Sequence, residues 1–105
     1  MQDAKVQVVI HCAAFTDVDG CALDPRQAQL VNAAGTRNVA SACADADAAM
    51  VLISTNEVFD GTNSDPYKEY DQTNPINAYG RSKLAAELHT QRLLERFYIV
   101  RTSWM

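Results

Sequence analysis

Three short apolar runs, separated by two stretches of helix length, constrain this chain more than any other feature. The runs are VQVVIHCAA (residues 6–14), AMVLIS (49–54) and FYIVRTSW (97–104). They are rich in β-branched and aromatic residues and short enough to be buried strands. Between the first two, CALDPRQ gives a helix start. Asp24 can cap it, and Pro25 fits the first helical position, where its missing N–H costs nothing. That helix is expected to reach about Ala44, with Ala28, Val31, Gly35, Val39 and Ala42 on one face. Gly35 weakens it by about 1 kcal/mol against Ala. Close approach to a neighbouring strand would be a reason to tolerate that.

After the second strand, DGTNSDPYKEYDQTNP (60–75) carries the Gly, Asn, Asp and Pro of turn chemistry. A second helix is expected from about Pro75 to Glu95. The predicted order is β-α-β-α-β. Strands apolar on both faces that alternate with helices imply an α/β fold with a parallel sheet. Right-handed crossovers advancing in one direction place both helices on one face. The other face would then be bare and apolar, so the expected state is a homo-oligomer, joined face to face or by edge pairing of the strand 6–11.

Length and charge narrow the function classes. One domain is expected from 105 residues. With 48% hydrophobic and 21% charged residues the chain reads as globular. The net charge of −4 is scattered, with no basic stripe to suggest nucleic acid. No apolar run is long enough to span a membrane, and no secretory signal is visible. Cys12, Cys21 and Cys43 are odd in number and lack metal-type spacing, which suggests reduced thiols in a cytoplasm. His11 and His89 are far apart and belong to no ligand set, so no metal site is expected.

Candidate chemistry gathers at the carboxyl ends of the strands, where open parallel sheets bind ligands. In NAYGRSKLAAE (77–87), Tyr79 and Lys83 stand four apart, on one side of a helix. An ammonium group beside a phenol favours the phenolate, which suits a proton donor in carbonyl reduction. Tyr and Lys at this spacing are also common by chance, and alone the pair decides nothing. Ser54 and Thr55 sit where the second strand meets its loop. A hydroxyl there can bond a carbonyl, or can simply end the strand. Small residues Ala13 and Ala14 follow the first strand and leave room for a flat ring. Trp104 ends the third, where a packing role is equally open.

Taken together, VVIHCAAFTDVDGCALDP, VNAAGTRNVASAC, LISTNEVFDGT, NPINAYGRSKLAAE and VRTSW resemble the extended short-chain dehydrogenase/reductases. The nearest likeness is to dTDP-4-dehydrorhamnose reductase and its sugar-nucleotide relatives. The likeness covers almost the whole chain, with five motifs in order. It implies a half-Rossmann sheet and hydride transfer from NADPH or NADH to a 4-keto-6-deoxy sugar nucleotide, in dTDP-rhamnose biosynthesis. By resemblance Tyr79 is the catalytic acid, Lys83 lowers its pKa and binds the nicotinamide ribose, and Thr55, or else Ser54, orients the keto group. Ala13, Ala14 and Thr16 line the cofactor and sugar pocket, and Val18 and Trp104 contact the sugar. Asn56 and Glu57 stand on the substrate side, where the family usually has Asp and Tyr. Glu57 would repel a diphosphate if it pointed inward.

The family's Gly-rich turn, which cradles the cofactor diphosphate, has no counterpart here. The glycines are Gly20, Gly35, Gly61 and Gly80, and they form no such motif. The residues match the second half of the nucleotide fold, without the N-terminal Gly-rich βαβ unit or the C-terminal substrate segment. Three expectations follow. One is a reductase whose isolated chain is weak or inactive. Another is a non-catalytic nucleotide-sugar-binding or regulatory subunit-like member. The third is a self-associating fragment with no activity.

Overall fold

The structure is a computed structural model that describes residues 8–12, 18–59 and 71–102, without the side chains of Val18 and Asp19. Strand β1 spans Val8–His11, β2 Ala49–Thr55 and β3 Phe97–Thr102. They form one parallel sheet in the order β1-β2-β3. The expected α/β architecture is therefore present. Cys12 is described and lies outside β1, so that strand stops short of the expected residue 14; Ala13, Ala14, Thr16 and Trp104 lie outside the described residues, as does the extension of β3 to 104.

Helix α1 (Val18–Leu23) precedes β1's crossover helix and was not expected from a segment of 6 residues. The crossover itself is one rod in three parts. Helix α2 is Pro25–Ala28, a π-helical turn covers Gln29–Ala34, and α3 is Gly35–Asp45. Asp24 caps it as expected, its Oδ1 accepting from Gln27 N–H at 3.1 Å. The π turn moves the buried face. Ala28, Asn32, Ala33, Thr36, Ala40 and Cys43 are buried, whereas Val31, Gly35, Val39 and Ala42 flank that face half-buried. The wider turn rotates the stripe, and Asn32 and Thr36 enter because their polar atoms find partners inside.

Gly35 does not approach a strand. Among the described residues, a Cβ there would meet only the Leu30 carbonyl oxygen, at 3.8 Å, an ordinary contact. The expected reason for this glycine is thus absent. Helix α4 (Ala78–Leu93) begins later than Pro75 because Asn77 is its cap, Oδ1 accepting from Gly80 N–H at 2.7 Å.

Met50 and Leu52 of β2 point inward and are fully buried. They pack with Ala40 and Cys43 of α3, Ala86 of α4, and the inner faces of Val9, Phe97 and Ile99. Both crossover helices therefore cover the same side of the sheet. The other side carries Val8, Ile10, Tyr98 and Val100, which are 54%, 65%, 70% and 44% exposed. Among the described residues, no helix is long and apolar enough to cross a membrane.

Candidate active site at the carboxyl rim of the sheet

Topology brings the site together. β2 ends at Thr55, and after its loop α4 runs back antiparallel to the strands. The first turns of α4 therefore stand beside the carboxyl end of β2. Tyr79 and Lys83 lie in those turns, 4% and 2% exposed, and Thr55 is 2% exposed. The Thr55 side chain accepts from Glu57 N–H at 3.1 Å, which caps a 3-10 turn over Asn56–Val58. It also draws the Tyr79 phenol toward its ionised form.

Gly80 makes this contact possible. A Cβ there would stand 2.2 Å from the Glu57 carbonyl oxygen and 3.0 Å from the Pro75 Cβ. The helix and the 3-10 turn therefore lie closer than any side chain allows. Asn77 fastens the same contact by donating from Nδ2 to Glu57 Oε2 at 3.0 Å.

Burial is the largest influence on both ionisable groups. It pushes the Tyr79 phenol up, with smaller upward pushes from Cys21 and Glu57, against the Thr55 side chain. It pushes the Lys83 ammonium down, against the charges of Glu87 and Cys12. The expected lowering of the phenol by Lys83 is not the direction found. Lys83 instead donates from Nζ to the Ile53 carbonyl at 2.9 Å.

The other expected site residues divide. Ser54 is fully buried and turned inward, in phase with Met50 and Leu52, and its hydroxyl donates to Glu87 Oε2 at 2.7 Å. Thr55 rather than Ser54 is left to face the rim. Asn56 is exposed, and Glu57 is half-buried against Asn77. Ala13, Ala14, Thr16, Trp104 and the Val18 side chain are outside the described residues.

Three groups were missed. His11, at the rim end of β1, pairs through Nε2 with Thr36 Oγ1 at 3.1 Å. Thr36 gives its own proton to Asn32 O at 2.7 Å, so His11 Nε2 is the donor. Asn32, in the π turn, donates from Nδ2 to Ser82 Oγ at 2.8 Å, and Ser82 donates to the Tyr79 carbonyl at 2.8 Å. Glu87 pairs with Arg101 from β3. A buried Asn at helical spacing from Ala28 and Thr36 is the one signal the sequence offered. Among the described residues there is no cluster of His, Cys, Asp and Glu able to hold a metal ion.

Residues 1–105 match the profile described as the RmlD substrate binding domain over their whole length. The chain belongs to the RmlD family. The dTDP-4-dehydrorhamnose reductase of Mycolicibacterium smegmatis is 46% identical over 103 residues, covering 97% of this chain and 32% of that protein. The enzyme of the same name from Burkholderia thailandensis is 41% identical over 105 residues, which is 35% of its length. Among solved structures, dTDP-4-dehydrorhamnose reductase from Bacillus anthracis, in complex with NADP, superposes with a TM-score of 0.95 at 43% identity. That match covers 98% of this chain and 37% of the solved one. The chain thus spans about a third of the length of the RmlD relatives it matches.

Proposed function

We propose that Thr55, Tyr79 and Lys83 form the proton-donating part of an NAD(P)H-dependent reductase site for a 4-keto-6-deoxy sugar nucleotide of the dTDP-4-dehydrorhamnose type. One observation carries the reading. In a chain of the RmlD family, Tyr79 and Lys83 are buried in the first turns of α4, beside Thr55 at the carboxyl end of a parallel strand. A phenol pushed up by burial keeps its proton at neutral pH and can deliver it to an oxygen that gains charge. Thr55 would orient the keto group beside the phenol. The Lys83 ammonium has three donors, one of them on the Ile53 carbonyl. It would hold the nicotinamide ribose. Bound reduced nicotinamide supplies the hydride. Ala13, Ala14, Thr16, Val18 and Trp104 are the residues this reading assigns to the cofactor and sugar walls.

The same reading makes the protein a cytoplasmic component of dTDP-rhamnose biosynthesis that acts as a homo-oligomer. It also makes the cofactor weakly held by these 105 residues alone, since they include no Gly-rich diphosphate turn. A second reading is a non-catalytic nucleotide-sugar-binding or regulatory member.

Nicotinamide fluorescence titration and NADPH consumption at millimolar cofactor separate the two. Slow consumption with a 4-keto sugar nucleotide, reduced on the order of 100-fold or more in Tyr79→Phe with cofactor binding unchanged, supports the acid role. Sugar-nucleotide binding without consumption supports the second reading. Equal turnover in Tyr79→Phe removes the phenol from the chemistry. Saturable NADPH binding at micromolar concentration overturns the expected weakness of the cofactor site.

A further inference from the structure

Beside the rim lies a buried charged cluster to which the reductase reading gives no role. Glu87 is 1% exposed and stands one turn beyond Lys83 on α4. Its Oε2 accepts from Ser54 Oγ at 2.7 Å and from Arg101 Nε at 3.0 Å. Its Oε1 accepts from Arg101 Nη2 at 2.6 Å. The Arg101 guanidinium lies over the Phe59 ring, 5.1 Å from its centroid. The carboxylate thus gathers the end of β2, the segment after the 3-10 turn, and the end of β3 onto α4.

Burying a carboxylate costs several kcal/mol, and a bidentate arginine roughly offsets this at best. Apolar side chains of similar shape would join the same elements at least as firmly. A fixed negative charge next to a buried ammonium is something they would not provide. Lys83 is 2% exposed, and the other titratable groups that influence it are His11 and Cys12 from the β1 side.

We infer that Glu87, locked by Arg101 and Ser54, is a positioning residue that holds Lys83 as an ammonium against the end of β2. This rests on the proposed role of Lys83 in the reductase site. Burial draws Lys83 toward its neutral form, and Glu87 is the largest influence opposing it.

The test reads the charge of Lys83 without turnover. The lysines are Lys5, Lys68 and Lys83, so their Nζ and Cε signals in a labelled chain are few enough to assign. In Glu87→Gln the Lys83 titration midpoint should fall by about one unit or more, with Lys5 and Lys68 unmoved. The double replacement Glu87→Leu with Arg101→Leu guards against misfolding of the unpaired arginine. It should also lower the Lys83 midpoint, although the packing is restored. Ser54→Ala, which keeps the charge, should leave it close to wild type. An unmoved Lys83 in a folded Glu87→Gln or double variant overturns the inference. So does a wild-type Lys83 already neutral at pH 7, for which no variant is needed. Equal turnover in Tyr79→Phe would sink the reductase reading and leave the Lys83 shift standing. An unmoved Lys83 with Tyr79-dependent turnover intact would sink only the role of Glu87.

Discussion

Two glycines sit in helices here and do opposite things. At Gly35 a methyl group meets nothing nearer than 3.8 Å among the described residues, so the residue costs helix propensity with no compensating contact there. Gly35→Ala should stabilise the fold by about 1 kcal/mol, read as a raised urea midpoint with unchanged slope. At Gly80 the obstacle is the backbone carbonyl of Glu57 at 2.2 Å, which no rotamer change can relieve. Gly80→Ala should cost about 2 kcal/mol or more and separate Tyr79 from Thr55. If the two variants shift the midpoint equally, the close approach of α4 to the 3-10 turn is wrong. His11 supplies a pH dependence at the same scale. Burial and the Lys83 charge hold its folded pKa below 6.5, so the unfolded chain takes up a proton first as pH falls. Stability should be level with respect to His11 above pH 6.5 and decline below it. His89 is shifted the same way by burial, Arg37 and Arg92, so it adds to the decline. Comparing His11→Gln with His89→Gln between pH 7 and 5 separates them. A wild-type slope retained in full by His11→Gln would exclude the His11 share.

At the scale of elements, most of the frame was legible because it is written in local chemistry. Asp24 and Pro25 announce the crossover helix, and three β-branched runs announce the sheet. Tyr79, Lys83 and Thr55 were legible as a group only through order and spacing along the whole chain. The choice between Ser54 and Thr55 was open to sequence reasoning. Counting by twos from Met50 and Leu52 sends Ser54 to the core. The π turn was not open, since nothing in QLVNAA distinguishes it from ordinary helix. Neither was the pairing of Glu87 with Arg101, because helix and strand meet only once the sheet has formed. Glu57 was expected on the substrate side, yet its carboxylate is bonded to the cap of α4. Asn77 therefore serves two elements. Asn77→Ala should cost about 1 kcal/mol for the lost cap, with further loss as Glu57 is released. A double-mutant cycle with Glu57→Gln measures that coupling. A coupling energy of zero would mean that the cap and the turn are independent.

For the whole molecule, the sheet has one covered side and one open one. The register sets Ile10, Val51 and Tyr98 in a row, with Ile53 and Val100 beside them and Val8 at the margin. None of these six side chains carries a charge, so a second copy can meet them without repulsion, although the chain as a whole bears −4. A two-fold pairing buries the same patch twice. If each copy loses about 400 Å² of apolar surface, the gross gain is about 20 kcal/mol at 25 cal/mol per Å². Association costs roughly 4–15 kcal/mol, so a dimer at micromolar concentration is within reach. Sedimentation equilibrium should show self-association of the wild-type chain, and Tyr98→Lys or Ile10→Lys should return it to monomer with its circular dichroism unchanged. These two positions lie away from Thr55 and Tyr79, so loss of the dimer should leave the Tyr79 titration as it was. A wild-type chain that stays monodisperse and monomeric at these concentrations would show that this sheet tolerates an open apolar face. The pairing would then have to be abandoned, with the rim chemistry untouched.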